Sequence, residues 1–107
     1  MTQLPVAELS QWLADSKRQA PLLLDVREPW EFALCRIEGS DSVPLGTLGS
    51  RLASIDHQRP IVCICHHGTR SFHAGLALER AGCRHVYNLT GGVDAWARQI
   101  DATLSIY

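Results

Sequence analysis

Nowhere in this chain does an apolar stretch approach the roughly 20 residues needed to cross a bilayer. The start, Met1-Thr2-Gln3-Leu4-Pro5, also lacks the basic residues and apolar segment of a secretory signal. These absences predict a cytoplasmic protein with no membrane partner. Charge of one sign is missing too: 10 basic against 11 acidic residues leave a net charge of −1, so there is no general attraction for nucleic acid. Internal repeats and low-complexity segments are absent, which excludes repeat arrays and flexible linkers. Cysteine is sparse. Four thiols in 107 residues, with 46% of the chain hydrophobic, predict one domain over residues 1–107 with a core that needs no disulfide staples. The thiols are expected to be free.

What the sequence does contain is an alternation of short apolar runs and amphipathic segments. Leu9, Trp12 and Leu13 recur at helical spacing, so residues 5–15 read as a helix opening at Pro5. Leu22-Leu23-Leu24-Asp25-Val26 reads as a strand buried on both faces, and Glu28 to Leu34 as a short helix opening at Pro29. A brief strand at Ser42 to Pro44, a helix at Leu48 to Ile55 and a strand at Ile61 to Cys65 follow. The next helix places Ala74, Ala77, Leu78 and Ala81 on one face and stops at Gly82. A strand at His85 to Leu89, a Gly91-Gly92 turn and a helix at Val93 to Gln99 complete the order. Strands alternating with helices at this spacing predict an α/β fold: a parallel central sheet of about four to five strands with helices on both faces. Ligands bind such sheets beyond the carboxyl ends of the strands. Asp25, Cys65 and the Gly91-Gly92 turn all fall there.

Cys65 is the clearest candidate for chemistry. It stands where a strand gives way to a loop and a helix start, and a helix start offers unpaired N–H groups and partial positive charge to an anion. Cysteines in such positions titrate at about 3.5 to 7.5 instead of about 8.5. Gly68 permits the close backbone approach a cradle needs, and Arg70 supplies a fixed cation at the loop end. Two roles stay open for Arg70: binding an anionic substrate, or bracing the loop through a carboxylate such as Asp25 or Glu31.

Four ordered stretches carry a family resemblance: Leu24-Asp25-Val26-Arg27-Glu28-Pro29-Trp30-Glu31-Phe32, Ile37-Glu38-Gly39-Ser40 with Val43-Pro44-Leu45, the loop Cys65 to Ser71, and Val86 to Trp96. Together they resemble a single-domain rhodanese, a sulfurtransferase of the rhodanese homology family. The resemblance implies that Cys65 takes a sulfane sulfur from thiosulfate or a persulfidated protein, holds it as a persulfide and passes it to a thiol or cyanide. It implies that His66, His67, Gly68, Thr69, Arg70 and Ser71 bind the substrate and that Asp25, Arg27 and Glu31 support them; no cofactor or metal is expected. One segment departs from the common pattern. Cys35-Arg36 occupies the place usually held by Gly-His before the isoleucine.

Plainer readings fit several of these residues. Cys63 and Cys83 read as core, and Cys35 as a partly buried structural residue, with a resolving thiol as its alternative. His66 and His67 read as loop side chains, because adjacent histidines rarely reach one ion. Trp12 reads as core, and Trp30 and Trp96 as core or pocket wall. Two functional rivals remain. A cysteine phosphatase or arsenate reductase also ends its thiolate loop in arginine, but with five intervening residues where this chain has four between Cys65 and Arg70. A non-enzymatic sulfur carrier or regulatory module is the other.

Overall fold

The computed structural model describes residues 1–107. Its elements run β1 (Thr2–Pro5), α1 (Val6–Ala14), β2 (Leu22–Asp25), α2 (Pro29–Leu34), β3 (Asp41–Ser42), α3 (Leu48–Arg51), β4 (Ile61–Ile64), α4 (Thr69–Arg80), β5 (Val86–Thr90) and α5 (Gly92–Gln99). The strands form one five-stranded sheet in the order β1-β5-β4-β2-β3, with every pairing parallel. Side chains alternate along each strand and so feed two cores. Leu23, Val62, Ile64 and Leu89 pack with Leu9 and Trp12 of α1 and Val93 and Trp96 of α5. Leu24, Ile61, Cys63, Cys65 and Val86 pack on the other side with Leu48 of α3 and Ala74 and Leu78 of α4. The expected architecture is therefore present, with helices on both faces.

Most boundaries agree with the sequence reading to within one residue, and three regions differ in kind or extent. The chain begins with an edge strand, Thr2–Pro5, and the helix expected over 5–15 starts only at Val6. Thr2-Gln3-Leu4 shows no apolar run, because an edge strand is held by backbone pairing with β5 and buries only Leu4. The helix expected over Leu48–Ile55 is a single α turn, Leu48–Arg51, between 3₁₀ turns at Leu45–Thr47 and Leu52–Ser54. Gly46, Gly49 and Ser50 favour helix poorly, so only local turns persist. The strand expected at Ser42–Pro44 is Asp41–Ser42, and Pro44 lies beyond it. No helix is long and apolar enough to cross a membrane.

Candidate active site

Cys65 follows the last residue of β4, a central strand, and is 1% exposed. Gly68, at φ +112°, turns the chain back over the sulfur and serves as the N-cap of α4. Its N–H donates to Cys65 Sγ at 3.1 Å, and the Ser71 hydroxyl lies 3.2 Å from the same sulfur. The first turn of α4 therefore brings its free N–H groups and positive end to the thiol.

The loop is clamped from outside by α5. Val93 N–H donates to the Cys65 carbonyl at 2.9 Å and Asp94 N–H to the His66 carbonyl at 3.1 Å. In a trans peptide the C=O and N–H point oppositely, so tying these carbonyls to α5 turns the N–H groups of His66 and His67 away from α5. The clamp explains the paired glycines. A Cβ on Gly92 would collide with the carbonyls of both Cys65 and His66, and Gly91 and Gly92 both have positive φ.

Beside the loop lies a partly buried charge network. Arg70 meets Glu31 as a two-pronged fork, Nη1 to Oε2 at 2.6 Å and Nη2 to Oε1 at 2.9 Å. Glu31 also accepts from the Glu28 N–H and from the Tyr107 hydroxyl. The Arg70 hydrogen bonds outweigh burial and hold the Glu31 carboxyl down to about 2. Arg27 is wholly buried; its guanidinium binds both oxygens of Asp25, the carbonyls of Glu31 and Cys35, and the Tyr107 hydroxyl. Burial disfavours its charge, but the Asp25 and Tyr107 hydrogen bonds win and raise its pKa. Burial raises the Tyr107 pKa, so its phenol stays protonated and donates to Glu31 while accepting from Arg27.

His66 is stacked between Tyr107 and His67, with both ring centroids 3.9 Å away. Its Nε2 is buried without a partner, and burial, with His67 beside it, lowers its pKa and favours the neutral ring. His67 is exposed, 3.8 Å from Asp94, whose carboxylate is bound by Arg98. One ligand atom from each of His66, His67 and Asp94 lies within 4.8 Å of the others. The two imidazoles are stacked at a tilt of only 32°, so their in-plane lone pairs do not converge readily on one ion.

The expected residues thus gather around one loop, with differing roles. Gly68 and Ser71 touch the sulfur, Arg70 is engaged with Glu31, Thr69 opens α4 exposed to solvent, and Asp25, Arg27 and Glu31 form the support behind. Cys63 is fully buried and burial pushes its thiol up to about 12; Cys83 is raised by burial too. Cys35 is buried as well, at the Arg27 guanidinium, and all four cysteines are free. Trp30 is 63% exposed and packs edge-on against Tyr107, so it is no core residue. Tyr107, Asn88 and Gln3 were not anticipated. Asn88 had a signal, a polar residue inside the apolar run of β5; Tyr107 had none, because its contacts span 76 and 80 residues of chain.

Comparison with known proteins places these features. The family model described as "Rhodanese-like domain" matches residues 5–99. A protein named "Sulfurtransferase" from Allochromatium vinosum is 39% identical over 90 residues, covering 84% of this chain and 82% of the relative. A "Probable adenylyltransferase/sulfurtransferase MoeZ" from Mycobacterium tuberculosis is 34% identical over 102 residues; the match takes in 94% of this chain but spans only about a quarter (26%) of that relative's length. The crystal structure of a rhodanese-like domain protein from Staphylococcus aureus superposes with a TM-score of 0.85 at 28% identity, covering 100% of this chain and 99% of that one. Fold, loop and sequence agree: the chain belongs to the rhodanese-like domain family, whose relatives carry sulfurtransferase names.

Proposed function

We propose that this protein is a sulfurtransferase in which Cys65 carries the sulfur as a persulfide. The observation that carries this reading is the Cys65 sulfur seated at the start of α4 with the Gly68 N–H donated to it. In the first displacement the Cys65 thiolate attacks the outer sulfur of thiosulfate; a Cys65 S–S bond forms, the donor S–S bond breaks, and sulfite leaves with its electron pair. In the second, a thiol or cyanide attacks the outer persulfide sulfur, and Cys65 departs as thiolate. A persulfidated donor reacts in the same way, its own thiolate leaving in place of sulfite. Backbone donors of the loop receive the negative charge at each stage.

The phosphatase reading is disfavoured by two features. Only four residues separate Cys65 from Arg70, giving a narrow cradle, and the Arg70 fork is occupied by Glu31. Intact-mass measurement after exposure to thiosulfate or a persulfidated donor tests the proposal. The wild-type mass rises by one sulfur atom, cyanide removes it as thiocyanate, and Cys65→Ser shows neither change. Turnover retained by Cys65→Ser but lost by Cys63→Ser or Cys35→Ser would overturn the assignment.

A further inference from the structure

Two strands and a helix supply a hydrogen-bond chain that runs from Gln3 of β1 through the buried Asn88 of β5 and Ser71 of α4 to the reactive sulfur. Asn88 of β5 lies beside Gln3 of β1 and Cys63 of β4 in the sheet register, and is 4% exposed. Its side-chain nitrogen donates to the Gln3 side-chain oxygen at 3.0 Å and to the Gly68 carbonyl at 3.1 Å. A backbone carbonyl only accepts, so the Gly68 contact fixes which way round the Asn88 amide sits. Its oxygen then faces Ser71, and an amide oxygen also only accepts. The single hydroxyl proton of Ser71 is thereby committed to Asn88. What Ser71 turns toward Cys65, 3.2 Å away, is a lone pair.

We infer that Asn88 is a positioning residue for the reactive sulfur: by fixing the Ser71 hydroxyl as an acceptor, it favours the Cys65 S–H over the thiolate. Once Cys65 ionises, the thiolate faces that lone pair, because the hydroxyl can turn its O–H to the sulfur only by leaving the buried Asn88 oxygen without a donor. The charged and titratable groups around the pocket are Arg70 of α4 paired with Glu31 of α2, Asp94 of α5 paired with Arg98, and the Asp25–Arg27 pair beyond β2. His66 and His67 of the loop, Tyr107 and Cys63 complete the set. None of these hydrogen-bonds the sulfur, whose only partners are Gly68 and Ser71.

The inference rests on Cys65 as the nucleophile proposed above, but its test needs no sulfur donor, so the two fail separately. The rate of iodoacetamide modification of Cys65 in the full chain is followed against pH by intact mass and peptide mapping. Asn88→Leu frees the Ser71 hydroxyl to donate to the thiolate, and a hydrogen bond to a charged group is strong enough to lower the midpoint of the profile by about one pH unit. On the acid side this reads as about tenfold faster modification. Ser71→Ala leaves the midpoint unchanged or lower, because the resting hydroxyl gives the thiolate nothing to lose. Adding Asn88→Leu to Ser71→Ala shifts the midpoint no further. A rise in Ser71→Ala, no fall in Asn88→Leu, or an added shift in the double variant overturns the inference. If Asn88→Leu does not fold, the sign of the Ser71→Ala shift decides alone.

Discussion

Replacing Glu31 by glutamine removes one charge from the most heavily hydrogen-bonded carboxylate of the site. It accepts from both Arg70 nitrogens, from the Glu28 N–H and from the Tyr107 hydroxyl. Those donors hold its pKa at about 2 against an ordinary 4.5. At about 1.4 kcal/mol per pH unit, the difference corresponds to about 3 kcal/mol of folding stability at neutral pH. The Arg70 side chain is 36% exposed, so solvent screening reduces the figure to about 2 kcal/mol. The folded value is depressed. The stabilisation is therefore complete above about pH 4.5 and is lost as pH falls toward 2. Urea unfolding of wild type and Glu31→Gln at pH 7 and pH 3 measures this directly. The variant is less stable at pH 7, and the gap shrinks to about half at pH 3, as the wild-type carboxylate takes up its proton on unfolding. A gap of equal size at both pH values would refute the reasoning and point to packing in place of charge.

Two further outcomes follow from the same geometry. Arg70→Lys keeps the charge but loses the planar fork, so sulfur transfer falls about tenfold or more with both thiosulfate and a persulfide donor; a loss confined to thiosulfate, with an unchanged melting temperature, would instead make Arg70 a substrate-binding cation. Gly92→Ala drives a methyl group into the Cys65 and His66 carbonyls at a positive φ, and costs at least about 2 kcal/mol in thermal unfolding; an unchanged melting temperature would show that α5 does not clamp the loop.

The parts legible in the sequence are those written in local pattern. The apolar run before Cys65, the glycine after it and the small-residue face of α4 lie within 20 residues of one another, and they fixed the strand, loop and helix in order. The sequence leaves two roles open for Arg70, and the structure engages its guanidinium with Glu31. Long-range partners left no such trace. Tyr107 joins Arg27 to Glu31 through its hydroxyl, and nothing near it in the chain marks that contact. Edge strand β1 is held by the backbone of β5, so its side chains show no periodicity and nothing local marks Gln3. Cys35 is buried in the core beside Ile37, and its carbonyl accepts from the Arg27 guanidinium, a contact that no local pattern marks.

Every arginine in this site has a carboxylate of its own: Arg27 with Asp25, Arg70 with Glu31, Arg98 with Asp94. Paired in this way, these fixed charges cancel at a distance, so the three pairs add little field beyond a Debye length of about 8 Å in physiological salt. An incoming anion meets attraction only on arrival, from the short-range dipoles of the loop. Encounter is thus governed by ordinary diffusion and orientation, and ionic strength should change the second-order rate little, whichever donor brings the sulfur.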